Sequence, residues 1–524
     1  ATLSRVSNTP YLYIRYSTLR YELWKLESPT PIMRQLGRWV SFGRWVSSAS
    51  PLRRASSSSR APRPPLERTP SFRAASRQVF ANAEVNLEAV EVFGFDYDYT
   101  LATYSSTLQH LIYDTAKGYL LDRLAYPDAL QSARYDPTFC IRGLVFDRLN
   151  GTLLKLSHRQ IVTPGAVFRG RRRLTDAEVV ELYTNTLHLP HSYIRKYCSP
   201  VPDMFALAEG CLLSDVMQLA DDLGIPHDPY WIHQDVRKAV EHTHISGAMH
   251  GAIKADVAQY IRPNPDLRKF LECAAGANKR LFLLTNSPLD FVEAGMTFLV
   301  GSDWMDLFDV SIFEAGKPRW FSGEKPFRSL DATRSFVKWG TVQPDDVLVK
   351  GRALVGGSVQ ELLRLTGWGK EGARVLYFGD HVFADLAEPA RQTGWTTGAI
   401  VRELEHEIKV LRSPRYVELH RRGEEIDKML NSALSRAHLE ELDAQRRHNF
   451  REKGELFNPN FGSIFNSRGD ASSFAFNVRR ISDLYCSRLE NFLEYPMDYR
   501  FYPQRATHMP HTQALEYSKP PPPT

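Results

Sequence analysis

The feature that most constrains the fold is residues 93–100, FGFDYDYT, at the end of an apolar run that begins at residue 89. A short apolar, β-branched run predicts a buried strand, and this one stops at two carboxylates, Asp96 and Asp98. In an open parallel sheet, ligands bind beyond the carboxyl ends of the strands. The pattern therefore indicates one carboxylate for nucleophilic attack and a second for proton transfer. Two solvated aspartates in a loop would give the same short string.

Two further apolar runs end in residues suited to binding phosphate. Residues 281–287, LFLLTNS, end in Thr285, Asn286 and a serine, which can donate hydrogen bonds to phosphate oxygens. The same side chains could cap the following helix. Residues 308–318, FDVSIFEAGKP, place Lys317 in a loop between a glycine and a proline. Most lysines are solvated surface residues, so Lys317 alone predicts no function. Its position after one of several successive strand-like runs is what makes it a candidate site residue.

A fourth strand-like run, residues 374–385, reads RVLYFGDHVFAD and contains Asp380 and Asp385. Two carboxylates after a strand can supply oxygen ligands to a hard divalent cation. Asp385 also fits an acidic residue in the first turn of a helix, where the helix dipole favours negative charge. Asp380 has no comparably simple alternative.

Taken in order, DYDYT, LLTNS, EAGKP and GDHVFADL resemble the haloacid dehalogenase (HAD) superfamily of aspartate-nucleophile phosphotransferases. Within it, the chain is similar to the cytosolic purine 5′-nucleotidases and the 5′-nucleotidase domain-containing proteins. The resemblance runs from about residue 81 to about residue 510 and includes GSIFNSRGD and SRLENFLEYPMDYRFYP. It implies an α/β fold with a HAD-like, doubly wound parallel sheet as its core. A large inserted cap domain and a helical C-terminal extension are expected around that core.

The resemblance implies a two-step phosphate transfer through a covalent aspartyl-phosphate. Asp96 would attack phosphorus while Asp98 protonates the leaving oxygen, and Asp98 would then activate the water that hydrolyses the intermediate. Thr285 and Asn286 would hold the phosphoryl oxygens. Lys317 would offset the negative charge that Asp96 and the phosphate bring together.

The resemblance also implies a magnesium cofactor. Mg²⁺ would be bound by Asp96, Asp380 and the backbone carbonyl of Asp98, with Asp385 in or near its coordination shell. Without a cation, clustered carboxylates and a phosphate would repel one another strongly, so a metal is electrostatically necessary.

The expected substrate is a small phosphate monoester, and its base-binding part is altered relative to the purine nucleotidases. Arg237, at the end of the string QDVR, and His244 match residues of the family's cap. The pair Leu187 and His188 stands where the relatives have Phe-Asn, and His250 stands where they have Lys. We therefore expect weak recognition of IMP or GMP. The alternative is a HAD-fold binding or scaffold protein with little turnover.

Spacing predicts the domain organisation. Asp96 and Thr285 are 189 positions apart, far more than one crossover helix requires, so a separate domain is expected between them. Within that insertion, Asn150-Gly151 predicts the turn of a β-hairpin. The predicted regions are a leader over 1–80, a catalytic core over 81–115 and 265–401, a cap over 116–264, a helical C-terminal region over 402–510, and a disordered tail over 511–524.

The C-terminal region carries a helical stripe. Ile426, Leu430, Ala433 and Ala437 recur at intervals of four, three and four, which predicts one helical face. That face could pack on the core or on a second subunit, so a homo-oligomer is an open expectation.

The charge of the chain is unevenly distributed. Residues 1–80 contain 14 Lys or Arg against three acidic residues, a net charge of +11, while the remainder has 52 basic and 57 acidic residues, a net charge of −5. An arginine-rich, serine-rich leader with few acids is typical of a mitochondrial transit peptide. A basic tail on a cytoplasmic protein would have the same composition.

Cysteine spacing, hydropathy and the distribution of arginines argue against several classes of protein and site. The five cysteines are scattered without a C-x-x-C pair, which argues for a reducing compartment and against a zinc site. No run of 18 apolar residues predicts a membrane span. The arginines form no recognisable nucleic-acid-binding motif, so a nucleic-acid partner is not expected.

Overall fold

The four motifs each follow a strand of one large sheet. The structure is a computed structural model that describes residues 77–330, 337–340, 342–368, 374–432 and 435–504. Its strands are β1 Val79–Ala81, β2 Val85–Asn86, β3 Val92–Phe95, β4 Leu144–Asp147, β5 Thr152–Leu156, β6 Val162–Arg169, β7 Arg172–Arg173, β8 Cys198–Pro200, β9 Arg280–Leu284, β10 Val310–Phe313, β11 Phe327–Ser329, β12 Ala353–Gly356, β13 Val375–Gly379, β14 Thr396–Ile400, β15 Asn466–Ser467, β16 Asp470–Ala471, β17 Leu484–Cys486 and β18 Arg500–Phe501.

Helices cover the sheet and form the connections between its strands. The α-helices are α1 Ser106–Leu124, α2 Asp176–Tyr183, α3 His191–Tyr197, α4 Ala206–Asp222, α5 Pro229–Ile245, α6 Ala248–Ala255, α7 Val257–Tyr260, α8 Pro265–Gly276, α9 Leu289–Leu299, α10 Pro344–Val347, α11 Val359–Thr366, α12 Glu388–Thr393, α13 Leu404–Leu411, α14 Pro414–Ser432, α15 Arg436–Glu455 and α16 Ser473–Ile481. Short 3₁₀ helices cover Leu87–Ala89, Asp128–Ser132, Trp304–Leu307, Arg319–Phe321 and Leu489–Glu494, and Val382–Ala387 is a π-helix.

The large sheet has the strand order β1-β17-β14-β13-β3-β9-β10-β12-β11. Its seven inner strands are parallel, and the edge strands β1 and β11 are antiparallel to their neighbours. In the register of the centre, Phe95 lies opposite Phe378 on one side and Leu283 on the other. The carboxyl ends of β3, β13 and β9 are therefore level, so the residues that follow them meet at one edge. The predicted α/β class with a parallel sheet is confirmed.

Aromatic packing explains the composition of the central strands. Phe95 and Phe378 stack with ring centroids 5.5 Å apart, and both are fully buried. Gly94 precedes Phe95 on β3, and a side chain does not fit there because a Cβ would be 2.2 Å from the ring of Phe282. Strands buried on both faces have this continuous apolar character.

A second, antiparallel sheet of order β7-β6-β5-β4-β8 lies in the segment between β3 and β9. The predicted hairpin is confirmed, because β4 pairs antiparallel with β5 across a turn at Gly151, which has a φ of +64°. Helices α1, α4 and α5 pack together beside this sheet. Residues 75–524 form one compact unit. The predicted division of this unit into a core, a cap and a C-terminal region stays a prediction.

The C-terminal region adds a strand to the large sheet and contains a pair of packed helices. Strand β17 pairs in parallel with β14, so the large sheet continues beyond residue 401, where the predicted core ended. Helices α14 and α15 pack against each other. The predicted single stripe on this pair is wrong. Ile426 is buried on α14, but Ala437 is exposed on α15, and Ala433 lies outside the described residues.

Most of the predicted leader and the whole predicted tail lie outside the described residues. Val79 and Phe80, the last two described residues of that leader range, belong to β1. Mitochondrial targeting stays a prediction. Within the described part of the chain, no helix combines the length and apolar character needed to cross a bilayer. All five cysteines are free thiols, and Cys273 is the exposed one.

Candidate active site and metal centre

Lys317 and Asp96 meet in the interior at the carboxyl edge of the large sheet. Asp96 follows β3 and is 7% exposed, and its backbone N–H donates to the carbonyl of Phe378 at 2.9 Å. The ammonium of Lys317 donates to Asp96 Oδ1 at 2.6 Å and to Asp385 Oδ1 at 2.7 Å. It also reaches the hydroxyl of Tyr377 at 3.2 Å. Two buried carboxyl groups and one buried ammonium therefore form a single hydrogen-bonded network.

The two predicted phosphate-binding residues occupy different positions in this network. Thr285 is fully buried directly after β9, and its hydroxyl accepts the N–H of Ser287 at 3.0 Å. Asn286 holds the backbone of Lys317, because Oδ1 accepts its N–H at 2.7 Å and Nδ2 donates to its carbonyl at 3.3 Å. The Asn286 side chain thus fixes the lysine loop. Phosphate contacts by Thr285 and Asn286 stay predictions.

Three buried carboxylates converge beside Lys317. One oxygen each from Asp96, Asp380 and Asp385 lies within 4.8 Å of the others. Asp385 lies on the π-helix and packs against Gly379, where a Cβ would be 2.2 Å from the Asp385 Cβ. Carboxylate oxygens are the ligands that hard divalent cations prefer. The donor set therefore fits a magnesium-type ion, and the sequence correctly predicted that these three residues lie together.

Burial dominates the electrostatics of this cluster. It raises the pKa of Asp96 to about 8, although the nearby ammonium of Lys317 lowers that pKa. It raises the pKa of Asp380 well above its usual range, against the lowering effect of Arg142. Burial also lowers the pKa of Lys317, but Asp385 and Asp96 outweigh it and hold that pKa well above its usual value. Carboxylates crowded in this way repel one another, and a bound cation would offset that repulsion.

Asp98 has a separate environment from the three-carboxylate cluster. The hydroxyl of Tyr104 donates to its Oδ1 at 2.6 Å, and the hydroxyl of Ser287 donates to its Oδ2 at 2.7 Å. Burial raises the pKa of Asp98, and these two donors reduce the rise. A carboxyl group with a raised pKa is suited to carry a proton. Metal binding by its backbone carbonyl stays a prediction.

The sequence matches a known protein family over most of its length. A sequence profile described as the 5′ nucleotidase family matches residues 79–514. The chain belongs to the 5′-nucleotidase family. A 5′-nucleotidase domain-containing protein of Dictyostelium discoideum is 38% identical over 448 residues, which cover 83% of this chain and 75% of that protein.

Two mammalian relatives are similar at the same level. Both carry the name 5′-nucleotidase domain-containing protein 2, and both are 37% identical over 440 residues and 82% of this chain. The alignment covers 78% of the rat protein and 84% of the human protein. Membership of the 5′-nucleotidase family supports a phosphohydrolase activity.

The residues predicted to read the substrate in this family member fall into two groups. His250 lies close enough to Asp98 for their charges to interact, and its ring lies 4.5 Å from that of Phe291. His244, near the end of α5, contacts the ring of Phe205 edge-on at 5.9 Å. Phe205 in turn lies 4.9 Å from Tyr99, which immediately follows Asp98. His250 and His244 thus lie on the Asp98 side of the site.

The second group consists of Arg237, Leu187 and His188. Arg237 lies about two turns before His244 on α5, and its charge acts on buried His233. Leu187 and His188 pair with the start of β6, where His188 forms an antiparallel bridge with Ile161. Substrate contacts by these residues stay predictions.

Sequence reasoning missed two residues that shape the site. Tyr104 lies within the same turn region as Asp98, but an isolated tyrosine gives no signal of its role. Arg142 donates to the backbone carbonyl of Asp380 at 3.1 Å across 238 positions of sequence. No local pattern in one sequence could have joined these two positions.

Proposed function

We propose that the protein is a magnesium-dependent phosphohydrolase of the HAD type that cleaves phosphate monoesters through an aspartyl-phosphate on Asp96. The observation that carries this proposal is the buried network of Asp96, Lys317, Asp380 and Asp385 at the carboxyl edge of a parallel sheet. Burying like charges together is costly, and a protein that only binds partners has no physical need for it. Perturbed titratable groups in such a position are typical of active sites.

Each residue has a role that its contacts support. Asp96 is the nucleophile, and bond formation to phosphorus accompanies release of the ester oxygen. Asp98 gives its proton to that oxygen and then, as a carboxylate, takes a proton from the water that hydrolyses the acyl phosphate. Tyr104 and Ser287 keep the Asp98 carboxyl oriented for both transfers. Lys317 offsets negative charge beside Asp96.

Asp96, Asp380 and Asp385 would hold the magnesium ion, with the Asp98 carbonyl as a further ligand. The fit is supported by Asp380 Oδ2, which is buried and accepts no hydrogen bond from any of the described residues. When bound, Mg²⁺ supplies positive charge that polarises the phosphate and keeps the carboxylates ionised. Thr285 would donate its hydroxyl hydrogen to a phosphoryl oxygen while its oxygen accepts the Ser287 N–H.

The substrate class that we propose is the phosphate monoester, with weak discrimination among leaving groups. Leucine at position 187 in place of an aromatic ring should lose roughly 1–3 kcal/mol of base stacking. A generic aryl phosphate should therefore be hydrolysed about as well as IMP or GMP. Selectivity above about 100-fold for a purine monophosphate, or ~2.7 kcal/mol, would contradict this reading of the cap.

The experiment that tests the proposed function is a phosphate-release screen over many monoesters with magnesium present. Asp96→Asn is the blank, because the amide is nearly isosteric but a poor nucleophile, and we expect it to eliminate turnover. Asp309→Asn is the matched control, since Asp309 is also buried but precedes β10 at the opposite edge of the sheet. Equal phosphate release by the unmutated protein and Asp96→Asn would refute the proposal.

A further inference from the structure

Arg142 is a buried arginine that connects three distant parts of the chain. It lies two residues before β4 and is 2% exposed. Its Nε and Nη2 donate to the two carboxylate oxygens of Glu403 at 2.7 and 2.6 Å. Its Nη1 donates to the backbone carbonyl of Asp380 at 3.1 Å and lies 3.8 Å from Asp380 Oδ2. The guanidinium thus bridges the second sheet, the metal-binding edge and the C-terminal region.

The position of this guanidinium is determined by contacts on all sides. Glu403 binds it as a fork, which fixes the plane of the group. The ring of Phe474 on α16 lies 5.0 Å from the guanidinium carbon. Gly143, with a φ of +84°, lets the chain approach Phe474 so closely that a Cβ there would be 2.7 Å from it. The arginine therefore has little freedom to move away from Asp380.

We propose that Arg142 is a positioning residue for the metal site: it holds the peptide carbonyl of Asp380 by a hydrogen bond and attracts the carboxylate at 3.8 Å, so that Asp380 is preorganised to bind the cation. This inference rests on the proposed function, because it assumes that Asp380 is a metal ligand. Groups that orient metal ligands contribute substantially to metal affinity, and their loss typically weakens it about 10- to 100-fold. Arginine suits this place because lysine cannot engage Glu403 as a fork and Asp380 at the same time.

A purely structural role is the competing explanation, since any buried arginine stabilises its surroundings. Arg171 offers a matched control. It is also partly buried, binds Asp215 as a fork at 2.7 and 2.8 Å, and stacks over Phe139 at 4.1 Å. None of these contacts involves Asp96, Asp380 or Asp385. Arg171→Met should therefore destabilise the fold without changing metal affinity.

The test is isothermal titration calorimetry of magnesium chloride into the full-length protein. We expect Arg142→Met to raise the Mg²⁺ dissociation constant about 10- to 100-fold and Arg171→Met to leave it within about threefold. Arg142→Lys keeps the charge and most of the stem, so it serves if the methionine variant does not fold, and we expect a loss of about tenfold. Equal affinities in the Arg142 and Arg171 variants would overturn the inference.

Failure of this inference can be told apart from failure of the proposed function. If the unmutated protein binds no magnesium, the proposed metal chemistry is wrong. If it binds magnesium and Arg142→Met binds equally well, only the role of Arg142 is wrong. In kinetics with an active ester, the variant should need more magnesium for half-maximal rate, while its KM for the ester at saturating magnesium stays unchanged. A merely structural role would not separate these two constants.

Discussion

Two buried aspartates, Asp147 in the second sheet and Asp380 in the large sheet, have opposite environments. Asp147 is fully buried at the end of β4, and neutral groups donate five hydrogen bonds to it, one of them from the backbone N–H of Asn150 at 3.4 Å. The hydroxyls of Tyr183 and Tyr193 each donate at 2.8 Å, and the side chain of Asn150 and the N–H of Leu149 each donate at 2.9 Å. Its negative charge is thus fully solvated by the protein.

Asp380 is 6% exposed and lies among other anions. Burial raises its pKa, and Asp385 and Asp96 raise it further. Arg142 is 3.8 Å from its Oδ2, and no described residue donates a hydrogen bond to that oxygen. Burial alone therefore does not distinguish a functional aspartate from a structural one. The distinguishing observation is an oxygen without a hydrogen-bond donor among the described residues and close to like charges, because an added cation would satisfy it.

The largest expected difference between the two regions concerns turnover. Asp98→Asn should lower kcat by about 10²- to 10⁴-fold, as is typical when a general acid–base is lost. Asp147→Asn should leave kcat per folded molecule nearly unchanged, because Asp147 serves the second sheet. Steady-state rates normalised to the folded fraction measure both. A comparable loss of kcat in Asp147→Asn would show that the two regions are not functionally separate.

The two aspartates should also differ in the sign of their effect on stability. Asp147→Ala leaves the hydroxyls of buried Tyr183 and half-buried Tyr193, and an amide, without this acceptor, so we expect a loss of about 2–4 kcal/mol. Asp380→Asn removes like-charge repulsion, so the metal-free protein should gain about 1 kcal/mol. Urea denaturation in the presence of a chelator gives both values. Destabilisation by Asp380→Asn would mean that its pairing with Arg142 outweighs the repulsion.

Magnesium should raise the melting temperature of a variant at Asp147 but not that of a variant at Asp380. A cation bound only by the folded state stabilises it by mass action, by ~2.7 kcal/mol at a free concentration of 100 times Kd. The melting temperature of the unmutated protein and of Asp147→Asn should therefore rise with magnesium. Asp380→Ala should show no rise. An unmoved melting curve in the unmutated protein would contradict the proposed site.

Local patterns predicted the strand ends of the large sheet well. Each of the runs before Asp96, Thr285, Lys317 and Asp380 is short and apolar, and parallel strands bring their carboxyl ends to one edge. The three-carboxylate cluster follows from that rule. The hairpin turn at Asn150-Gly151 was predictable because its backbone conformation favours those residues.

Long-range pairings were not predictable from one sequence. Strand β17 has three residues, too few to show a period, and it enters the sheet from the region expected to be helical. The contact of Arg142 with Asp380 depends on how the second sheet docks, which no spacing reveals. The C-terminal stripe failed because its period continues across a helix boundary, so residues that match in sequence lie on two helices.

A smaller expected effect concerns the stability at acid pH of the second sheet and the helix α5 that packs beside it. His233 is buried on α5 and stacks on Phe146 at 5.7 Å, and burial lowers its pKa to about 3, with Arg237 and Arg148 acting in the same direction. Because the folded pKa lies below the unfolded value, the unfolded state binds the extra proton as pH falls below about 6.5. The stability contributed by neutral His233 is therefore complete above that pH and is lost progressively as pH falls towards 3.

His233→Phe keeps the aromatic stack but removes the proton-binding group. Between pH 7.5 and pH 5, the free energy of unfolding should fall less in this variant than in the unmutated protein, by up to ~2 kcal/mol. His188→Phe is the control, because His188 is exposed and should leave that pH dependence unchanged. Urea denaturation at the two pH values measures the difference. An equal fall in the free energy of unfolding in all three proteins would contradict the prediction. It would mean that protonated His233 gains a compensating partner in acid, so that the helices beside the second sheet tolerate a buried charge.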